Sequence, residues 1–146
     1  MTVPRATGLR AKVLPAPADH QPAAVLIVED EMLIALATSS ILSELGYEVT
    51  GIASSAEAAY QAAAARVPDL VLMDITLRGA IDGIEAGRVL KERFGVPILF
   101  VTAHSDGPTI DRAKTAGPIG YLIKPFSPKQ LEQAVERAIE AAGRAS

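Results

Sequence analysis

The sequence predicts an α/β protein on a doubly wound, five-stranded parallel sheet, and three observations predict it. From Ala23 onward, strand-like and helix-like stretches alternate five times. Such alternation packs as a parallel sheet, with right-handed crossovers placing helices on both faces. The runs "AVLIV", "LVLMD" and "PILFVT" are continuously apolar, as strands buried on both faces are. Finally, the residues that close these runs are acids, a threonine and a lysine. In such a sheet they gather at one rim, beyond the C-terminal ends of the strands, where ligands bind.

Residues 1–22 hold four of the ten prolines and little apolar periodicity, the composition of a flexible extension outside the core. Residues 23–143 carry the folded domain, with no internal repeat. The first strand is "AVLIV". Residues 31–45 follow as a helix whose apolar positions Leu33, Ile34, Ala37, Ile41, Leu42 and Leu45 recur at helical spacing, ended by Gly46. "YEVTGIA" is the second strand and the edge of the sheet. Ser54 or Ser55 caps the next helix, with Glu57 three residues after Ser54 as in a capping box. The run from Ala58 to Ala65 favours helix, and Pro68 stops it.

"LVLMD" is the third strand. Asp82 and Glu85 open a helix that carries Ile84, Val89, Leu90 and Phe94 and closes at Gly95. "PILFVT" is the fourth strand, followed by a short helix over residues 108–116 with Gly117 past its end. "IGYLI" is the fifth. The last helix starts at Ser127 as N-cap, with Pro128 at its first position and Gln130 completing a capping box. Its apolar face is Leu131, Val135, Ala138, Ile139 and Ala142.

Bulk properties exclude several classes of function. A net charge of -3 and a pI near 5.4 leave no general basic surface for nucleic acid. The absence of cysteine removes disulfides, thiol catalysis and thiolate-bound metal. No apolar run approaches the ~20 residues of a membrane span, and no signal peptide opens the chain. A cytoplasmic protein that binds no membrane is the expectation.

The expected rim holds Glu29 and Asp30 after strand one, Asp74 after strand three, Thr102 at the end of strand four and Lys124 after strand five. Taken singly, Asp30 reads more readily as a helix N-cap, Thr102 as a strand-end residue and Lys124 as a surface cation. Their arrival at one rim is the informative fact. Three acids and a backbone carbonyl suit a hard Mg²⁺ ion, which takes oxygen ligands and neutralises their repulsion. Asp74 is then a candidate nucleophile toward a phosphoryl group, with Lys124 to neutralise charge and the Thr102 hydroxyl to bond a phosphoryl oxygen. The small Ala103 leaves room beside it.

"VLIVEDE", "LVLMD", "ILFVTA" and "GYLIKPF" resemble the four signature blocks of the response-regulator receiver domain, the flavodoxin-like family of the chemotaxis regulator. The resemblance covers residues 23–143 and implies a three-layer fold with strand order 2-1-3-4-5. It implies Asp74 as phosphoacceptor, Asp30 as metal ligand with Glu29 in support, and the Thr76 carbonyl as a further ligand. Thr102 becomes the switch hydroxyl, Lys124 the phosphate-pairing cation and Tyr121 the rotating aromatic. Thr76 and His104 flank the water that hydrolyses the phosphate, and an imidazole with a pKa near ~6.5 changes charge in the physiological range. The Lys124–Pro125 bond is typically cis in this family. Two departures stand out: the loop "ITLRGAIDG" is one residue longer than the common pattern and lacks its usual proline, and the fourth helix opens with "SDGPT".

The implied function is a signalling switch, not an enzyme. A sensor histidine kinase or a histidine phosphotransfer protein phosphorylates Asp74, and the surface of helix four, strand five and helix five changes. "DITLRGAIDGIEA" is similar to receivers served by HWE-type kinases. With only "AAGRAS" after the last helix, output is expected through a downstream protein, a phosphorylation-dependent dimer or onward phosphotransfer. A small Mg²⁺-dependent phosphatase with an aspartyl nucleophile is the alternative. Against it, Thr76 stands where a general acid is wanted. A flavodoxin-like cofactor binder would meet carboxylates where its phosphate loop should be.

Overall fold

The computed structural model describes residues 21–103 and 107–143. Five parallel strands, β1 (Ala24–Val28), β2 (Glu48–Ala53), β3 (Leu70–Asp74), β4 (Ile98–Thr102) and β5 (Gly120–Ile123), form one sheet in the order β2-β1-β3-β4-β5. They alternate with α1 (Met32–Glu44), α2 (Ala56–Ala65), α3 (Gly83–Phe94), α4 (Gly107–Lys114) and α5 (Pro128–Ala141). The predicted order, topology and three-layer class hold, and boundaries move by a residue or two, as frayed ends do. The N-terminal extension up to residue 20 and His104 lie outside the described residues. No helix among the described residues is long and apolar enough to cross a membrane.

The continuous apolar runs are explained by two cores, one on each face. β1, β3 and β4 are buried along their whole length, and their side chains alternate between faces with the period of a strand. Leu26, Val28, Met73 and Phe100 pack against α2, α3 and α4 through Ala59, Ala63, Leu90 and Ala113. Val25, Ile27, Leu72 and Leu99 pack against α1 and α5 through Ala35, Leu42, Leu131 and Ile139. The alanines let α2 sit low on the sheet. Gly87 does the same for α3, where a Cβ would stand 2.8 Å from the Phe100 ring.

Several local expectations need correction. The buried line of α1 is Ala35, Thr38 and Leu42, whereas Leu33 is 84% exposed and Met32 and Leu36 are each 52% exposed. Apolar residues cover so wide an arc of this helix that spacing alone cannot choose the buried side. The cap of α2 is Ser55, whose hydroxyl accepts from Ala58 N. Ser54 with Glu57 is therefore not the box. At α3, Asp82 accepts from Glu85 N, but the Glu85 carboxylate is engaged by Arg88. The predicted box at α5 is complete, with Ser127 and Gln130 bonded in both directions.

Candidate functional site

Because all five strands run the same way, their C-terminal ends deliver side chains to one rim. Glu29 continues β1, its N–H bonded to the Ala53 carbonyl of β2 at 2.9 Å. Asp74 ends β3 opposite Val101, and Thr102 ends β4 opposite Ile123. Lys124 follows β5, its N–H held by the Thr102 carbonyl at 2.8 Å. The Lys124–Pro125 bond is cis. Glu29, Asp74 and Thr102 are buried, at 4%, 3% and 0% exposure, so these polar groups are held inside the protein rather than merely solvated.

The rim is organised around the two Asp74 oxygens. Oδ1 accepts from both the N–H and the hydroxyl of Thr76, each at 2.9 Å. Oδ2 lies 3.3 Å from Lys124 Nζ, which also donates to Glu29 Oε1 at 3.0 Å. Glu29 Oε2 accepts from Glu31 N at 3.1 Å. Glu29, Asp30 and Asp74 each bring one carboxylate oxygen within 4.8 Å of the others. Asp30 is not a cap: Glu31 holds the N-cap position of α1 without a side-chain bond, and Asp30 Oδ2 accepts from Arg78 N at 3.0 Å.

One partly buried ammonium shared by two buried acids leaves an excess of negative charge. Burial, with Asp74 as neighbour, pushes the Glu29 carboxyl up to about 6. Burial also pushes Asp74 up, but hydrogen bonding from Glu29 and Thr76 and the charge of Lys124 bring it below the ordinary value. Lys124 is raised because pairing with both acids outweighs its burial. The site thus favours the anionic form of Asp74 and the protonated form of Glu29. A cluster of hard oxygens that still carries uncompensated charge fits a small divalent cation such as Mg²⁺.

A stability prediction follows for the metal-free protein. Between the ordinary glutamate value of 4.5 and about 6, the folded chain binds more protons at Glu29 than the unfolded chain. Stability therefore falls as pH rises through that window, by about 1–2 kcal/mol for a shift of this size. Asp74 acts in the opposite sense and at lower pH: its contribution is present above 3.8 and lost on further acidification. Urea titrations from pH 4.5 to 7 should show the decline in wild type and a flattened profile in Glu29→Gln. Parallel profiles would mean that Glu29 carries no such burden.

The loop from β3 to α3 supplies what sequence reasoning did not. It places the Thr76 donors on Asp74 and the Arg78 N–H on Asp30, then returns to α3, where Gly83 N bonds the Ile75 carbonyl at 3.0 Å. A Cβ at Gly83 would lie 1.9 Å from the Asp74 carbonyl oxygen. The start of α3 is thus seated directly on the backbone of the central acid. The "DG" pair at 82–83 was the available signal for that approach. Tyr121, half-buried on β5, faces the Phe100 ring at a centroid distance of 6.4 Å, on the side of the sheet carrying α3 and α4.

The chain resembles known proteins in sequence and fold. The model of the response regulator receiver domain matches residues 25–136. The chain is 40% identical over 118 residues to the transcriptional regulatory protein PdtaR of Mycobacterium tuberculosis, covering 81% of this chain and 57% of that protein. It is 32% identical over 116 residues to the phyllosphere-induced regulator PhyR of Methylorubrum extorquens, covering 79% and 43%. The chain spans about half the length of the curated relatives it matches. Among solved structures, the signal receiver domain of a modulated diguanylate cyclase from Desulfovibrio desulfuricans aligns with a TM-score of 0.78 at 39% identity, over 84% of this chain and 98% of that one. The receiver domain of NtrX from Brucella abortus aligns at 0.74 and 32% identity, over 80% and 98%. Fold and relatives agree: the chain belongs to the response regulator receiver domain family of two-component signalling.

Proposed function

We propose that Asp74 accepts a phosphoryl group from the phosphohistidine of a sensor kinase or a histidine phosphotransfer protein, with a divalent cation held by Asp30, Asp74 and Glu29. The observation that carries this reading is the state of Asp74: buried, anionic, with one oxygen fixed by Thr76 and the other facing Lys124. Oδ2 attacks phosphorus, the phosphorus–nitrogen bond breaks, and the departing imidazole takes up a proton from solvent. Lys124 neutralises charge on the transferring group, which is most of what phosphoryl transfer requires. Bound Mg²⁺ would add further charge neutralisation and orient the phosphoryl oxygens. The Thr76 carbonyl is the natural backbone ligand, and Thr76, with its hydroxyl on Asp74, is a candidate for setting phosphate lifetime together with His104. An aspartyl phosphatase reading gains nothing from this geometry, because the Thr76 hydroxyl is a donor to Asp74 and no acid.

The donor's docking face is assigned to α1. Leu33, Ile34, Ala37 and Ile41 line a shallow groove with Pro125 and Phe126, and Lys124 connects that groove to Asp74. An apolar helix laid there would bring its histidine to the rim, and exposed Leu33 and Leu36 are otherwise unexplained. A kinase of the HWE type is the expected donor.

Asp30→Asn should weaken Mg²⁺ binding at least about tenfold, since a ligand charge is lost while the shape stays. Calorimetric titration checks it, and unchanged affinity would remove Asp30 from the metal site. The same reading gives Thr102 and Tyr121 a switching role, since a phosphoryl group shifts a two-state equilibrium only through a contact that differs between states. Thr102→Ala should accept phosphate yet lose most of the NMR shift changes on α4, β5 and α5. Wild-type changes in that variant would break the coupling.

A further inference from the structure

The three rim acids are divided between two cations. Lys124 serves Glu29 and Asp74, at 3.0 and 3.3 Å. Asp30 is served by Arg78, whose Nε lies 3.7 Å from Asp30 Oδ2 and whose backbone N–H donates to the same oxygen at 3.0 Å. No proline could make that second contact, because it has no N–H. The two cations are held differently. The Lys124 side chain is 16% exposed and the Arg78 side chain 80%, although Asp30 itself is only 12% exposed. The Arg78 guanidinium stands beyond hydrogen-bond distance, without the two-pronged fork that makes arginine–carboxylate pairs strong. Its backbone contact is firm and its charged contact is loose.

We propose that the Arg78 guanidinium is a displaceable counter-cation of Asp30, which competes with the divalent metal for that carboxylate and so weakens metal binding in the unphosphorylated protein. The inference rests on the metal reading given above and adds a residue to it. Arg78 is a positioning residue: its N–H fixes where Asp30 points, and its side chain decides how much of the Asp30 charge is free. When the ion arrives, the exposed guanidinium leaves a partner that it holds only at 3.7 Å, which costs little. It then stands at the mouth of the site as a mobile positive group.

Separating the two Arg78 contacts makes the proposal testable, because Arg78→Ala deletes the guanidinium and keeps the N–H. Mg²⁺ alone is titrated into the unphosphorylated full chain, with the amide shifts of Asp74, Thr76 and residue 78 followed by NMR. Arg78→Ala should bind Mg²⁺ about two- to fivefold more tightly than wild type, the range that a single exposed ion pair allows. Arg78→Lys, which keeps charge without the Nε contact, should fall between them. Arg66→Ala, which removes a cation paired with Glu48 at the opposite end of the sheet, should leave the affinity unchanged. Equal or weaker affinity in Arg78→Ala, or equal tightening in Arg66→Ala, overturns the proposal while the metal site stands. Failure of wild type and every variant to bind Mg²⁺ overturns the metal reading and this inference with it.

Discussion

Gly83→Ala should be among the most damaging single-methyl substitutions in the chain. The three atoms nearest the added Cβ would all be backbone: the Asp74 carbonyl oxygen at 1.9 Å, and the Asp74 carbonyl carbon and Ile75 Cα at 2.8 Å each. No side chain can rotate away to make room, so the start of α3 must lift off the end of β3. The Gly83–Ile75 hydrogen bond at 3.0 Å would then be stretched. Overpacking of a tight site typically costs ~1–3 kcal/mol, and a clash with backbone belongs at or above the upper end. Urea denaturation should show a midpoint lowered by about 3 kcal/mol of stability with an unchanged slope. Phosphorylation of the folded fraction should slow by about tenfold or more, because displacing a reacting group by even ~1 Å is costly. Gly107→Ala is the contrast: its Cβ meets nothing within 4 Å, and stability should stay within about 0.5 kcal/mol. Equal stability of the two variants would show that α3 is not seated on Asp74.

Lys124→Met should have the largest effect on chemistry short of removing Asp74. The ammonium is the only side-chain cation within salt-bridge distance of Asp74 and Glu29 among the described residues, and a methionine keeps the length without the charge. Loss of one preorganised charge-stabilising donor typically costs ~10²–10³ in rate, so phosphoryl uptake should fall at least about 100-fold. Stability carries a second signature. With its partner gone, Glu29 is pushed further above about 6, and an unpaired buried acid must be accommodated. The variant should be destabilised by about 2 kcal/mol at pH 7.5, below the ~3–5 expected of a fully buried pair, and by less at pH 5, where protonation relieves Glu29 but Asp74 still lacks its cation. A pH-independent loss would mean that Lys124 is not what holds the charge of Glu29.

The sequence made the strands and their polar ends legible because burial on both faces leaves no room for alternation, so "LVLMD" announces both a central strand and an acid at its end. It could not reveal which side of α1 faces the sheet. Leu33 and Leu36 are as apolar as Leu42, and only the packing of α1 against the sheet decides among them. Ser54 and Ser55 are equally good caps by type, and burial of Ala56, Ala59 and Ala63 selects the second. Arg78 and Gly83 were missed for a common reason. Their importance depends on the path of the loop, which brings residue 78 back to Asp30, 48 positions earlier in the chain, and seats Gly83 on the Asp74 backbone; the "DG" pair signals a tight approach but not what is approached.

That Asp74 itself takes the phosphoryl group can be read directly by trapping the acyl phosphate. The full chain is phosphorylated with acetyl phosphate and Mg²⁺, reduced with borohydride, which converts an aspartyl phosphate to homoserine, and mapped by peptide mass. Homoserine at position 74 in wild type, and no phosphate on Asp74→Asn, is the expected result. Homoserine at position 30, or phosphate on the Asn variant at the wild-type level, would contradict it.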